Sequence, residues 1–277
     1  KTIEYGVVAQ NNRRREKYWN HWQEYCKMFR INPFLRKTNE TQQIIIITAF
    51  VVRVRTGCYG KQGNKVKAPS VQEALSAISM TIELAGEPSP LHKVEKAYKL
   101  PVARLLEGFR REDPPPVAQL AVPIKVPKKC QELAYKSNNN KDKAIGDLSI
   151  IAFFYLLRVG EYTRPRGNTR TKQFRVKDIG FFKNGQILPR SSPLRILQSA
   201  DSCTLKITNQ KNGQMGQTIH HKAIKDTWCP IKAVASRVHH ILKHGGNKTS
   251  LICDTWNNTA NKWISITSKD MIAGIRH

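Results

Sequence analysis

The residues best suited to chemistry lie in Leu156-Leu157-Arg158-Val159-Gly160-Glu161-Tyr162. Arg158 follows an almost wholly apolar stretch, 145–157, which reads as a helix buried on nearly all sides. A guanidinium delivered by such a helix is costly to bury alone and needs an anion. Two anions qualify: the Glu161 carboxylate, three residues on, in a helix-end salt bridge, or a ligand phosphate. A second candidate is Lys211, in Lys211-Asn212-Gly213-Gln214, where Asn-Gly signals a hairpin turn. A third is the run from Arg53 to Lys67. It carries Arg53, Arg55, Lys61, Lys65 and Lys67, with Gly57, Tyr59, Gly60 and Gly63 between them and no acid. Glycines let a backbone approach phosphates closely, and the cations supply charge. The competing reading is a solvated surface loop.

Other reactive types are poorly placed. His239, His240 and His244 fall on one predicted helix, the last two a turn apart, but no third ligand is near and no metal is expected. The six cysteines, at 26, 58, 130, 203, 229 and 253, form no Cys-x-x-Cys pair. They read as free, mostly buried thiols in a reducing compartment.

Charge decides the partner. The 277 residues hold 47 Lys and Arg against 20 acids, a net +27. Such an excess repels itself unless a polyanion neutralises it. The longest apolar run, 148–157, falls far short of the roughly 20 residues that cross a bilayer, and the start carries Arg13, Arg14 and Arg15 rather than a secretory signal. Nucleic acid is therefore expected, and no membrane. The charge is uneven: residues 1–124 hold 20 basic and 11 acidic groups, net +9, and residues 125–277 hold 27 and 9, net +18.

The elements that must position these residues divide in two. In the first half, Tyr18, Trp22, Tyr25, Cys26 and Phe29 share a helix face, and a second helix is expected over 42–55, although its isoleucines also suit a strand. Ser70 and Glu73 form a capping box that opens a third helix, with Val71, Ala74, Leu75, Ile78 and Ile82 as its buried stripe and Gly86 as its stop. A fourth fits 92–109. The five prolines at 114, 115, 116, 123 and 127 make 112–127 a stiff linker between a helical domain, 1–111, and a second domain, 128–277. After the apolar helix the period changes: strands are expected at 176–182, 194–198, 202–208 and 217–221. Pro230 opens a helix that stops at Gly245, and Thr267 caps a last one. The fold class is α+β, mainly α.

Leu157-Arg158-Val159-Gly160-Glu161 resembles the first conserved box of the tyrosine recombinases, the phage-integrase superfamily, in which an apolar helix delivers Leu-Arg-x-x-Glu. The order of parts resembles that family over the full length: a helical domain, a linker, the arginine box, a small sheet with a hairpin lysine, then helices. The stretches 154–163, 173–182 and 229–234 look most like integrases of eukaryotic mobile elements of the Crypton type. The resemblance implies a SAM-like helical core-binding domain, then a partial mixed α/β DNA breaking-rejoining domain with a small antiparallel sheet. It implies that Arg158 stabilises charge on a scissile phosphate without a metal or cofactor, that Glu161 orients it, and that Lys211 protonates the departing 5′ oxygen. Lys206 is the alternate, if strand alternation turns it toward the site. Double-stranded DNA is the implied partner, with no small-molecule substrate; copies would assemble on the DNA, and a eukaryotic mobile element would place the protein in the nucleus. The family's His-x-x-Arg box and nucleophilic tyrosine are missing: no histidine is followed three residues later by arginine, and the last tyrosine is Tyr162. The chain is therefore expected to be truncated before that box and to cut no DNA alone. The alternatives are a non-enzymatic DNA-binding protein derived from such a recombinase, and an unrelated basic RNA-binding protein.

Overall fold

The computed structural model describes residues 9–59, 63–88, 90–91, 100–115, 121–165, 171–208 and 216–276. The chain is mixed α+β and mainly helical, with a small antiparallel sheet, and divides into two compact units, Lys1–Ala118 and Gln119–His277.

The first unit holds α1 (Ala9–Met28), α2 (Glu40–Arg55), α3 (Ala68–Leu84) and α4 (Leu100–Glu112). Trp22, Tyr25 and Cys26 of α1 are buried as their spacing predicts, but Phe29 is exposed: it lies past the helix end, before Arg30 at φ 54°. The isoleucine-rich segment is a helix because its start is well capped. The Asn39 side chain accepts from the Gln42 amide at 2.9 Å, and the Gln42 side chain accepts from the Asn39 amide at 3.0 Å. Ile47, Phe50, Val51 and Val54 then face the core. The fourth predicted helix is shifted: residues 92–99 lie outside the described residues, and α4 runs on past Phe109 to Glu112.

The expected Ser70–Glu73 capping box does not form. α3 starts at Ala68, with Pro69 in its first turn, so Ser70 is already helical. The donor that needs a partner is the Ala68 amide, and it finds the Asp113 carboxylate at 2.7 Å. A residue 45 positions away thus caps this helix, and the predicted stripe of Val71, Ala74, Leu75, Ile78 and Ile82 is buried behind it.

The second unit opens with α5 (Lys125–Lys136), three residues inside the expected linker, where Pro127 is buried in the first turn. α6 (Asn140–Phe154) is capped by the Asn139 side chain, which accepts from the Lys141 amide at 2.9 Å, and packs on α5 and α9 (Pro230–Lys243). It stops three residues short of the expected 157. Leu156 adopts φ 52°, a left-handed conformation that costs a non-glycine residue about 1–2 kcal/mol, and its side chain gains nothing from it, being 88% exposed. The single-turn helix α7 (Val159–Tyr162) follows.

The sheet comprises β1 (Ile179–Lys183), β2 (Gln186–Leu188), β3 (Ser202–Lys206) and β4 (Thr218–Lys222), all antiparallel in the order β2-β1-β3-β4. Residues 176–178 of the first predicted strand form a 3-10 turn instead. The strand predicted at 194–198 is a helix, α8 (Leu194–Gln198). Pro193 stands at its N-cap, and Leu197 is its one buried residue, so the segment presents a single apolar point and not a strand's alternating face. A second hairpin, β5 (Asp254–Asn257) with β6 (Lys262–Ser265), precedes α10 (Ser268–Arg276). As expected, Pro230 opens α9, Gly245 takes a left-handed φ just past its end, and Thr267 caps α10 by trading hydrogen bonds with Asp270. Phe181, Cys203 and Leu205 face the core that also receives Leu148, Ile150 and Tyr155 of the α6 region.

Candidate nucleic-acid interface

The chain around Arg158 is fixed from both sides. Upstream, the His221 ring of β4 hydrogen-bonds the Phe154 carbonyl at 2.6 Å, and the Tyr155 hydroxyl donates to the Cys203 carbonyl of β3 at 3.3 Å. The end of α6 is thereby tied to two strands, and Trp228 stacks on Phe154 with centroids 5.8 Å apart. Downstream, the Phe174 amide donates to the Glu161 carbonyl at 3.0 Å, and the Gln173 amide group donates to the Gly160 carbonyl at 3.0 Å.

Within this frame Glu161 is buried, its side chain 4% exposed, while the Arg158 side chain is 51% exposed. One carboxylate oxygen of Glu161 accepts the Arg158 backbone amide at 2.8 Å. The other stands 3.6 Å from the Arg158 guanidinium and has no hydrogen-bond partner among the described residues. The carboxylate thus fixes the Arg158 backbone by a hydrogen bond and its head by charge alone. The helix-end pair and the open guanidinium coexist: one terminal nitrogen faces Glu161, and half the side chain stays in solvent.

Lys211 lies outside the described residues. Lys206 ends β3 opposite Thr218, and it alternates with Cys203 and Leu205. Those two face the core with Tyr155, so alternation puts Lys206 on the other face with the buried Thr204, and Lys206 itself, at the strand end, is exposed.

The first-unit cations separate. Arg55 is a correction: it is buried and already matched. Its guanidinium reaches Asp113 at 2.5 Å, Glu112 at 3.4 Å and the Val66 carbonyl at 2.6 Å, and it lies 5.0 Å from the Phe109 ring centre. Only its Nε lacks a partner among the described residues, and its burial leaves it no exposed face for a phosphate. Gly57 serves the same closure, at φ 83°, where a Cβ would collide with the Asn64 backbone. Lys65 is exposed but pairs with Glu112 at 2.8 Å. Arg53 lies along the Tyr59 ring at 6.0 Å; its Nε and the Tyr59 hydroxyl have no hydrogen-bond partner among the described residues. Lys67 is exposed, and Lys61 lies outside the described residues.

The Arg55 cluster gives a testable expectation. Arg55→Met removes the buried guanidinium that ties the Val66 carbonyl to Asp113 and Glu112, while Glu112 keeps Lys65 and Asp113 keeps the Ala68 amide, so the first unit should lose stability. Arg55 and the Ala68 amide also hold the Asp113 carboxyl below its usual range, the amide contributing more. A depressed folded value adds stability that is present above the ordinary carboxylate range and is lost as pH falls from there through the depressed value. Urea melts of Arg55→Met should show the cost, with a weaker acid dependence than wild type; an unchanged midpoint would discard the assignment.

The second unit also buries a charged network that no motif announced. Asp147 of α6 accepts from the Tyr135 hydroxyl at 3.0 Å and the Gln131 side chain at 3.4 Å. Arg237 of α9, fully buried, donates to the carbonyls of Ile252, at 3.3 Å, and Asp254. Burial pushes the Asp147 carboxyl up to about 7, against the opposing pull of Arg237.

The histidines of α9 are engaged in packing. The His240 ring accepts from the Trp256 amide at 3.0 Å, and burial above all pushes its value down to about 3, so it is neutral. All six cysteines are free, and Cys58 is the exposed one. No described helix is long and apolar enough to cross a membrane.

A further cationic feature went unread in the sequence. Between Glu161 and Asp178 stand Arg164, Arg166, Arg170, Lys172, Arg175 and Lys177 with no acid, and that run was its signal. Arg164 and Arg175 line one cleft with Gln173, Thr249 and Asp254. Set against known proteins, the chain matches no family model and no curated protein.

Proposed function

We propose that this chain binds duplex DNA in the manner of the tyrosine recombinases, with Arg158 set against a backbone phosphate. The observation that carries the reading is the contrast at one turn: a buried Glu161 clamps the Arg158 backbone, while half of the Arg158 side chain stays in solvent. A planar guanidinium held in this way offers two parallel donors to two phosphate oxygens. The net +27 supplies the long-range attraction that brings a polyanion to it.

In the proposed chemistry Arg158 stabilises charge on the phosphate, and Glu161 positions it. Lys211 remains the proposed acid for the departing 5′ oxygen, and the outward face of Lys206 weighs against the alternate. The cleavage step of the family needs a tyrosine that attacks the phosphate and leaves a 3′-phosphotyrosyl link. Arg158, Glu161 and Lys211 are proposed for the phosphate-binding part of that chemistry.

Fluorescence anisotropy with a labelled duplex tests the reading. Losing charge-assisted hydrogen bonds costs about 1.5–3 kcal/mol, so Arg158→Ala should bind roughly 10- to 100-fold more weakly. Arg158→Lys should recover part of that, since it restores charge without the fork. Thermal melts check that both variants fold. If folded Arg158→Ala binds as wild type does, Arg158 is not a phosphate contact.

A further inference from the structure

We propose that the cleft between Arg164 and Arg175 is a second phosphate seat, which holds a phosphodiester of duplex DNA beside the one assigned to Arg158. The inference rests on the DNA-binding reading and extends it to residues that the recombinase resemblance does not name.

The cleft encloses about 480 Å³ and is lined by Arg164, Gln173, Arg175, Thr249 and Asp254. Its two guanidinium groups are held in place without being neutralised. Arg164 donates to the Ser265 hydroxyl at 3.1 Å, and Arg175 donates to the Thr249 carbonyl at 2.5 Å. Neither forms an ion pair among the described residues. The one carboxylate among the described lining residues, Asp254, makes no ion pair with either cation: its oxygens accept from the Leu251 amide at 2.9 Å and from the Ser265 hydroxyl, which relays it to Arg164, at 2.6 Å. Two positioned cations against one engaged acid leave the cleft an excess positive charge and free N–H donors, the chemistry that a phosphodiester takes.

The backbone of the cleft is as fixed as that of the Arg158 turn. The Arg164 amide donates to the Ile266 carbonyl at 2.8 Å, and the Val176 amide to the Ser250 carbonyl at 3.0 Å. Gln173, on the cleft wall, is the residue that donates to the Gly160 carbonyl of α7. The cleft and the Arg158 turn are therefore parts of one scaffold. Arg164 stands six positions after Arg158, so their Cα atoms lie at most about 20 Å apart. That is the rise of about six nucleotides along one strand, so a single short duplex can meet both seats.

The test uses the full chain, a fluorescent DNA duplex and a salt series. The variant is Arg164→Gln/Arg175→Gln, and the control is Lys129→Gln/Lys243→Gln, which removes the same charge from α5 and α9. If two guanidinium groups hold one phosphate, the slope of log affinity against log salt should flatten by about 1 in the cleft variant and not in the control. Arg175→Lys should keep the wild-type slope, which separates lost charge from the lost tether to Thr249. Equal slopes for cleft variant and control, or a slope loss on an RNA duplex and not on DNA, would overturn the second seat. DNA binding that persists with an unchanged slope defeats this inference alone; no duplex binding by the wild-type chain defeats the DNA-binding reading with it.

Discussion

Between about 50 and 200 mM salt, the affinity of this chain for duplex DNA is expected to fall by roughly 10³–10⁵-fold. That range corresponds to about 6–10 phosphates neutralised, each releasing condensed counterions. The charge to support it is present: the second unit has an excess of 18 cations, and Arg158, Arg164 and Arg175 belong to it. The first unit has an excess of 9, in which Arg55 is already offset by the two carboxylates that surround it. The dependence should hold across duplexes of unrelated sequence, since backbone contacts carry no base information. Anisotropy titrations at several salt concentrations measure it directly. A flat response would remove the polyanion account of the net charge, and the DNA reading with it.

The second large effect concerns the two buried charged residues of the second unit, Asp147 and Arg237. Arg237→Met should cost about 1–3 kcal/mol, because it leaves the Ile252 and Asp254 carbonyls without their buried donor and removes the pull of the guanidinium on Asp147. For a unit of this size that is a fall in melting temperature of roughly 2–12 °C. Asp147 gives the pair a pH signature. Its carboxyl sits at about 7 in the folded chain, and an unfolded aspartate ionises near 3.9. Below both values the group is protonated in either state and contributes nothing. As pH rises from about 4 to 7, the unfolded chain releases its proton first, so this group progressively favours unfolding; above about 7 its penalty is constant. Asp147→Asn should flatten that part of the stability profile. Arg237→Met should cost less in the Asp147→Asn background, with a coupling of about 0.5–3 kcal/mol. Additive single and double variants would show that the two groups do not share one field.

The sequence was most legible where periodicity had a single reading. The stripes of α1 and α3, the buried α6 and the start of α9 at Pro230 follow directly from residue spacing. Short segments were less legible because tertiary context decides them. Leu194-Arg195-Ile196-Leu197-Gln198 has strand composition, but Pro193 and a single buried leucine make it a helix. The β1–β2 hairpin was missed although its signal is present: Asn184-Gly185, with both φ values positive, is the same pair read at 212–213. The β5–β6 hairpin was missed for want of such a pair, although Trp256 and Trp263 face each other across it.

For the site, local spacing reached the Arg158–Glu161 turn and nothing that depends on distant partners. Arg55 looked like a contact because its own window holds no acid. Its acids are Glu112 and Asp113, nearly sixty residues on, at the start of what composition marked as a linker. The Arg164–Arg175 cleft is the converse. Its charge run was readable, but its shape comes from Thr249 and Asp254 on a distant part of the chain.

Leu156 sets a rule for how this turn can diverge. Its left-handed backbone is fixed by the tethers on either side, and its side chain touches almost nothing. Selection at this position therefore acts on the main chain alone. Glycine and asparagine are the replacements that drift should admit, because both tolerate the conformation; valine, isoleucine and threonine are those it should purge. Descendants of this turn should be traceable by Arg158 and Glu161 long after the leucine has gone.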